Sequence, residues 1–251
     1  GGHMWQMGAE ADGVDEVVKG VRQLIKRGAD YIKVAVTGGT THGTYPNLPS
    51  YNIEELQAIV GEAHKFQKLV ATHAHATQGI INSLDAGVDM MEHALFVEPD
   101  GSYSFDPEIA ERIARQGTYI SPTVQTGYRQ RQALLEEAEE RSLTLQEQKR
   151  LDSLEIKYEA QVSGLSRFWS EWDIPIVFGT DAPPLVLDPT RSFGKYVVGL
   201  EFKLMAEAEP GLQKIIQAQR NKKLPRGTPE LLAEDAAQQA IISREEASRV
   251  T

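Results

Sequence analysis

The sequence predicts an α/β fold, in which the strands of a parallel sheet alternate with helices along the chain. The first observation is a series of short apolar runs of strand length, separated by amphipathic segments of helical period. The second is that ionisable residues stand in or directly after four of these runs: Lys33, His73, His93 and Asp181. Because the carboxyl ends of parallel strands meet at one edge of a sheet, we expect these side chains to converge there. The predicted strands are 31–36, 69–72, 88–92, 118–121 and 174–180.

Helix start and stop signals fill the intervals between these strands. A helix is predicted over 12–27, where apolar residues recur on one side. The sequence from Asn52 to Glu55 is typical of a capping box and predicts a helix to about Gln67. A third helix is predicted over 77–85, and Asp106 followed by Pro107 predicts the start of a fourth. Three glycines mark helix ends: Gly28, Gly87 and Gly117.

Residues 128–172 interrupt the alternation with a long, highly charged segment, interpreted as a helical insertion. Thr144 to Glu147 is typical of a second helix start after a bend, so we predict a helical hairpin. The role of this hairpin remains open: it packs against the rest of the domain, covers the site or forms a subunit contact. A helix over 193–208 and a helical tail over 209–251 complete one predicted domain, 1–251. The apolar stripe of the hairpin is Leu151, Leu154, Tyr158, Val162, Leu165 and Trp169.

Composition narrows the classes of function. The 251 residues are 41% hydrophobic, enough for one large core, and the formal net charge of −10 argues against nucleic acid or an anionic membrane as a partner. The chain has no cysteine, so any metal must be held by nitrogen and oxygen ligands. No apolar run approaches membrane-spanning length and no signal peptide is recognisable, so a cytoplasmic location is expected.

Lys33 is the least ordinary of the candidate site residues. It stands in the apolar run 31–36, which has the character of a strand buried on both faces, and a buried ammonium is costly unless it is paired, neutralised or chemically changed. On this strand alone, a lysine whose stem lies on apolar surface and whose head reaches water is the simpler interpretation. The pattern of an apolar run with an ionisable residue at or near its end recurs at His73, His93 and Asp181, and this recurrence favours a functional site. His42, in the loop after this strand, fits a solvated loop residue better than a pocket residue.

Several spaced motifs resemble the metal-dependent amidohydrolase superfamily. The branch they are most similar to is the imidazolonepropionase-like group, which includes Xaa-Pro dipeptidases and N-acyl-amino-acid hydrolases. The resemblance runs from about residue 1 to residue 205. The motifs are Glu10-Ala11-Asp12-Gly13, Gly28-Ala29-Asp30-Tyr31-Ile32-Lys33, Thr37-Gly38-Gly39, Thr72-His73-Ala74-His75, Ala86-Gly87-Val88-Asp89, Glu92-His93 and Gly179-Thr180-Asp181.

The resemblance implies a (β/α)8 TIM barrel with a two-metal site. It implies that Lys33, on the fourth barrel strand, is carbamylated and bridges the metals, and that His73 and His93 are ligands on the fifth and sixth strands. Asp181 corresponds to the eighth-strand aspartate that binds metal and handles the proton of the attacking water. The chemistry is consistent, because a desolvated lysine tends toward the neutral amine that adds carbon dioxide, and the N/O ligand set suits one or two Zn²⁺ ions.

The same resemblance implies substrate-facing roles for two further histidines. His75 lies two residues beyond His73, hence on the same face of an extended strand. His3 matches a family position that faces the substrate. Taken alone, Gly1-Gly2-His3 is also typical of an expression-tag remnant; the resemblance favours a native loop after the third barrel strand.

The chain departs from the family in two places. No His-x-His pair, which in the family binds the more buried metal, precedes Lys33. Five strands are predicted where the barrel needs eight, and they match the fourth to eighth. We therefore expect an incomplete barrel, through natural truncation, gene fragmentation or recombinant design. Strands 31–36 and 174–180 would then be edges, which we expect a second copy in a homo-oligomer or the C-terminal helices to cover.

Two classes of function follow from these observations. The first is a hydrolase that uses metal-activated water to cleave an amide bond in a small molecule, such as an Xaa-Pro dipeptide or an N-acyl amino acid. The second is a catalytically impaired remnant that acts only as a folded or oligomeric protein. With the His-x-His pair missing, we expect at most one tightly held metal per chain and little hydrolysis.

Overall fold

The computed structural model describes residues 2–5, 8, 10–177 and 179. The described residues fall into two compact units, one within 2–121 together with 171–176 and one over 122–170. Three predictions lie outside the described residues: Asp181, the helix 193–208 and the tail 209–251. None of the described helices combines the length and apolar character needed to cross a membrane.

The first unit alternates strands and helices, as predicted. Four strands form a parallel sheet in the order of the sequence, so the predicted order of the first four strands is confirmed. The fifth predicted strand is represented by a parallel bridge that joins Ile176 to Ile120, and its residues 178 and 180 lie outside the described part. The elements are α1 (Gly13–Lys26), β1 (Ile32–Ala35), α2 (Ile53–Lys65), β2 (Val70–Ala76), α3 (Thr77–Ala86), β3 (Met90–Val97), α4 (Pro107–Gln116) and β4 (Tyr119–Ser121).

Local sequence signals explain where these helices begin and end. The Asn52 side chain accepts a hydrogen bond from the Glu55 N–H, and the Glu55 carboxylate accepts one from the Asn52 N–H, so α2 has the predicted capping box. The Asp106 carboxylate caps α4, with proline at its first turn. Gly87 and Gly117 end α3 and α4 with φ values of 77° and 68°, a conformation that glycine adopts at little cost.

The core of this unit lies between the sheet and its helices. Ile80 and Leu84 of α3 are buried, and the Ser83 hydroxyl lies 3.3 Å from the Thr72 hydroxyl of β2. The even-numbered residues of β2 therefore face α3. Each fully buried leucine or isoleucine contributes about 1.5–3 kcal/mol to stability, which fixes the register of the strands beneath the helices. The odd-numbered residues of β2, including His73 and His75, face the other side of the sheet.

The expectation that β1 is buried on both faces is wrong at Lys33. Ile32 and Val34 are buried, whereas Lys33 is exposed and Ala35 is intermediate. The cause is the two-residue alternation of a strand that lies at the edge of the described sheet, where β1 pairs with β2. The predicted cover over this edge, by a second copy or by the C-terminal helices, stays a prediction.

The second unit contains the predicted helical hairpin, formed by α5 (Tyr128–Glu140) and α6 (Leu145–Ser170). The Thr144 hydroxyl accepts from the Glu147 N–H and the Glu147 carboxylate accepts from the Thr144 N–H, which confirms the predicted helix start. Leu151 and Leu165 of the predicted stripe are buried and its other members are half-buried, and Phe168, which the prediction did not include, is buried as well. Four residues of α6 are buried: Leu151, Gln161, Leu165 and Phe168.

Candidate metal centre

Two histidines of β2 share one face of the sheet near its carboxyl edge. His73 and His75 are two residues apart in an extended strand, so both rings project to the side opposite α3. Their exposed fractions are 4% and 7%, and the ring centroids are 4.3 Å apart. The predicted shared face is therefore confirmed. The strand also runs further than predicted, to Ala76, so both histidines lie inside the sheet rather than in a loop after it.

His93 of β3 reaches the same face through an unusual backbone. In the ladder, Glu92 stands opposite His73 and His93 stands opposite Ala74, so regular alternation would turn the His93 ring toward the helices. Instead, His93 has a φ of 70° and Ala94 a φ of 47°, values that cost non-glycine residues energy. The rotated backbone brings the His93 Nε2 atom to 2.9 Å from the His73 Nδ1 atom.

The hydrogen bonds of His73 determine where its proton lies when the two rings are neutral. Its Nε2 atom is 3.2 Å from the carbonyl oxygen of Gly38. A carbonyl only accepts hydrogen bonds, so Nε2 carries the proton and Nδ1 carries the lone pair. The His93 Nε2–H then donates to that lone pair. The Gly38 carbonyl thus orients His73 as the outer partners of metal-binding histidines commonly do.

The backbone of His75 is fixed by Thr37, the residue that follows the β1 run. The His75 N–H donates to the Thr37 hydroxyl over 3.0 Å, and Thr37 is fully buried. Helix α3 approaches Thr37 at Gly79, where a Cβ atom would lie 2.4 Å from the Thr37 methyl group. A glycine is therefore required at 79 for this approach. Helix packing and the position of His75 are in this way connected through one threonine.

His3 lies beside the cluster, and its substrate-facing role stays a prediction. Its ring centroid is 4.3 Å from that of His73, and its Nδ1 atom is 2.9 Å from the Thr41 hydroxyl. A Cβ atom on Gly39 would lie 2.5 Å from the His3 ring, so the glycine leaves the space that the ring occupies. The loop after β1 thus holds His3 against the histidines of β2.

Lys33 lies on the same face as His73, because its ladder partner is Ala71, two residues before that histidine. Its ammonium forms an ion pair with the Glu92 carboxylate, and the two side chains are 35% and 21% exposed. Glu92 is the site residue that sequence reasoning missed. The available signal was its position next to His93, together with the register that sets it opposite His73.

The geometry brings together part of the predicted ligand set. The imidazole nitrogens of His73, His75 and His93 offer one ligand atom each within 4.8 Å of one another, all three side chains being buried. Such a cluster of neutral nitrogen donors suits Zn²⁺. Lys33 lies on the same face with its head group on Glu92, and Asp181 lies outside the described residues.

Solved structures support an incomplete barrel of the predicted kind. The crystal structure of ochratoxinase from Aspergillus niger superposes with a TM-score of 0.62 at 23% identity, over 92% of this chain and 43% of that one. A Xaa-Pro dipeptidase with methionine bound in its active site superposes with a TM-score of 0.61 at 25% identity, over 97% of this chain and 55% of that one. The parallel sheet therefore corresponds to part of a (β/α)8 barrel, and this chain spans about half of either relative.

Sequence comparison leads to the same group of proteins. Ochratoxinase of Aspergillus niger is 38% identical over 91 residues, which are 36% of this chain and 19% of that protein. A profile of the Amidohydrolase family matches residues 2–235, nearly the full length given. The buried histidines at the carboxyl edge of the sheet thus lie within the matched region, and the chain belongs to the amidohydrolase family.

Proposed function

We propose that this chain carries part of the metal site of a hydrolase that cleaves an amide C–N bond in a small molecule. The observation that carries the proposal is the buried cluster of His73, His75 and His93 at the carboxyl edge of a parallel sheet. In barrels of this type, side chains at that edge perform the chemistry. The family to which the chain belongs fits this reaction class.

The family resemblance suggests how a metal would be held. His73, His93 and a carbamate on Lys33 would form one Zn²⁺ site, and the carbamate with Asp181 would form part of a second. A bound zinc ion polarises a carbonyl oxygen and lowers the pKa of water, which supplies a nucleophile at neutral pH. The Gly38 carbonyl holds the proton of His73 on Nε2 and so keeps Nδ1 available as a ligand atom.

The remaining roles belong to residues around the cluster. Asp181 would accept a proton from the attacking water and pass it to the leaving amine nitrogen. His3 and His75 would contact the substrate, and His3 is oriented by its contact with the Thr41 hydroxyl. Lys33 as an ammonium would instead neutralise Glu92, so carbamylation would have to displace that ion pair.

Two relatives suggest substrates. Ochratoxinase and Xaa-Pro dipeptidase are the names of proteins that resemble this chain, so ochratoxin and Xaa-Pro dipeptides are candidates, with N-acyl amino acids as a third class. Ochratoxin, dipeptides and N-acyl amino acids should be screened with the full chain loaded with Zn²⁺, beside a His93→Ala variant. The matched control is His64→Ala, because His64 is half-exposed and bonds to Asp89 at the other end of the sheet.

Hydrolysis by the parent and the control, but not by His93→Ala, would support the proposal. Hydrolysis that survives both His93→Ala and a chelator would contradict it. An intact fold without turnover of any substrate class would favour the alternative of a non-catalytic remnant.

Asp181→Asn tests the proton-transfer role separately. We expect this variant to keep one bound metal and to lose turnover, because the amide side chain cannot accept the proton of the attacking water. Metal content by elemental analysis and hydrolysis of the best substrate are the two measurements. Turnover at the parent rate would remove Asp181 from the mechanism.

A further inference from the structure

We propose that Tyr45 and Leu48, here called the rim pair, form an apolar contact surface at the edge of the metal site. This surface selects amide substrates that carry an aromatic or bulky aliphatic group next to the scissile bond. The inference rests on the proposed function and names the substrate class of the same site.

The loop 37–50, between β1 and α2, exposes both side chains of the rim pair. Tyr45 is 64% exposed and Leu48 is 48% exposed. The backbone that carries them is nevertheless fixed, because the Leu48 N–H donates to the Tyr45 carbonyl over 3.2 Å and an antiparallel bridge joins Pro49 to Thr37. Single exposed apolar residues are common, but two so close together on a fixed loop indicate a surface that binds a ligand.

The backbone of Tyr45 is connected to the metal site through one residue, Gly38. The Gly38 N–H donates to the Tyr45 carbonyl over 3.1 Å, and the Gly38 carbonyl lies 3.2 Å from the His73 Nε2 atom. A Cβ atom at position 38 would overlap the Tyr45 backbone, so a glycine is required for this close approach. Gly38 therefore sets both the orientation of the His73 ring and the point from which the Tyr45 side chain extends.

The loop also crosses the carboxyl end of β2, the strand that carries two of the clustered histidines. It begins after β1, and the Asn47 side-chain amide donates over 2.7 Å to the carbonyl of Pro99, which follows β3. Because the sheet order is β1-β2-β3, a loop that starts at β1 and reaches the residues after β3 passes the end of β2. Tyr45 and Leu48 stand on either side of Asn47 in the sequence, so the rim pair lies at this crossing.

The chemistry of the rim pair indicates which part of a substrate it contacts. The phenol ring of Tyr45 offers a flat face for an aromatic group, and the isobutyl group of Leu48 offers aliphatic contact. Pro46 and Pro49 beside them are exposed as well, so the surface is apolar throughout. A charged substituent would lose hydration here without gaining a counter-charge. In barrels, the loops at this edge of the sheet build the substrate site, so an apolar substituent of the substrate is the occupant that fits.

Binding of N-acylated amino acids to the full chain tests the rim pair. The probes are N-acetyl-L-phenylalanine, with its ring on the amine side, N-benzoyl-L-alanine, with its ring on the acyl side, and N-acetyl-L-alanine, which has no ring. Dissociation constants are measured by nuclear magnetic resonance titration with a chelator present, so that metal-dependent turnover does not consume the probes. We expect at least one aromatic probe to bind at least about threefold more tightly than N-acetyl-L-alanine. The ring position that binds more tightly identifies the side of the amide bond that the rim pair contacts.

Variants of the loop assign the preference to individual side chains. Tyr45→Ala should weaken binding of the preferred aromatic probe about 3- to 10-fold and leave that of N-acetyl-L-alanine within about twofold. Tyr45→Phe keeps the ring and should retain the preference, and Leu48→Ala should lose part of it. The matched control is Phe66→Ala, because Phe66 is a 44% exposed aromatic residue between α2 and β2, at the amino end of the sheet. This control should bind all three probes as the parent does.

Three results would overturn the inference: a parent without preference for either aromatic probe, a Tyr45→Ala variant that keeps the preference, or an equal loss in Phe66→Ala. A second variant, Tyr45→Gln, and far-ultraviolet circular dichroism guard against misfolding. Absence of hydrolysis by the zinc-loaded chain with this binding pattern intact would refute the proposed function and leave the rim pair standing. Hydrolysis without an aromatic preference would refute the rim pair alone.

Discussion

Two histidine contacts of equal length lie at opposite ends of the same pair of strands. At the carboxyl end, the Nε2 atom of His93 is 2.9 Å from His73, and both rings are buried. At the amino end, the Nε2 atom of His64 is 2.9 Å from the Asp89 carboxylate, and the His64 side chain is 42% exposed. The first contact joins two imidazole rings, and the second joins an imidazole ring to a carboxylate.

The difference lies in what each contact leaves available. Asp89 also accepts the N–H of Val70, the first residue of β2, so the amino-end contact attaches α2 and the start of β3 to the sheet. At the carboxyl end the acceptor of His93 is a lone pair that a metal can take. Barrels divide their strand ends in the same way, with chemistry at the carboxyl end and stability at the amino end.

The largest expected effect separates the two contacts directly. His93→Ala should weaken zinc binding at least about 100-fold, because it removes a ligand rather than an outer partner. His64→Ala should leave zinc affinity unchanged and lower stability slightly. Isothermal titration with Zn²⁺ measures the affinity of both variants. Equal zinc affinities in the two would show that the carboxyl-end and amino-end contacts do not differ in metal binding.

Thr37→Val tests how firmly the carboxyl-end cluster is held. The buried N–H of His75 would lose its acceptor, which costs about 1–3 kcal/mol of unfolding free energy. Zinc affinity should fall by less than about 10-fold, because Thr37 bonds to the backbone of His75 and not to the ring of a ligand. Urea denaturation and zinc titration are the measurements, and Thr37→Ser is the matched control because it keeps the hydroxyl. A valine variant as tight and stable as the serine variant would show that the hydrogen bond is unimportant.

Asp89→Ala tests the amino-end contact alone. Loss of the hydrogen bonds to the Val70 N–H and to His64 should lower the unfolding free energy by about 1–2 kcal/mol, since the carboxylate is partly exposed. Zinc affinity should remain that of the parent. If the variant unfolded at the same urea concentration as the parent but no longer bound zinc, the amino end would contribute to metal binding rather than to stability, contrary to our assignment.

The smallest effect concerns an exposed ion pair in the second unit, which extends the comparison to a contact with no role in a site. Arg141 donates two hydrogen bonds to Glu147, of 2.9 and 2.8 Å, and with Thr144 lowers the pKa of that carboxyl from 4.5 to about 2. Because the folded pKa is depressed, the contribution is present above about pH 4.5 and is lost as the pH falls toward about 2.

Amide exchange near the start of α6, followed between pH 5 and pH 2, measures this contribution. We expect a small loss of protection in the parent and none in Glu147→Gln, which has no carboxyl to titrate. High salt should reduce the effect, since exposed pairs are screened. An equal loss in both proteins would assign the change to other groups.

The fold was largely predictable because its signals are local. The capping box at Asn52, the glycine stops at Gly87 and Gly117, and the apolar runs each depend on a few neighbouring residues. The features that could not be predicted, such as the full length of β3, depend on three-dimensional context. Nothing in the run 88–92 predicts that β3 continues to Val97, because residues with positive φ rarely occur in strands.

The histidines and the convergence of His73 with His93 were predictable, but the backbone conformation by which His93 reaches that face was not. The two-residue spacing of His73 and His75 predicts a shared face, and the structure confirms it. Alternation alone would have put His93 on the opposite face, and its rotated backbone has no signature in a single sequence. The pairing of Lys33 with Glu92 depends on the register of two ladders that meet at β2, which local patterns do not specify.

The left-handed residues of β3 have a consequence for selection. His93, Ala94 and Phe96 have φ values of 70°, 47° and 53°, and each such residue costs of order 1 kcal/mol or more. Glycine would relieve that cost at position 94, whereas at position 96 it would remove a fully buried aromatic ring, which costs more than the strain. Laboratory evolution toward heat resistance alone would therefore favour a glycine at position 94, and the gain in melting temperature would be accompanied by a less firmly oriented His93. A screen that rewards heat resistance and zinc retention together should instead leave this position unchanged and accumulate its stabilising substitutions elsewhere.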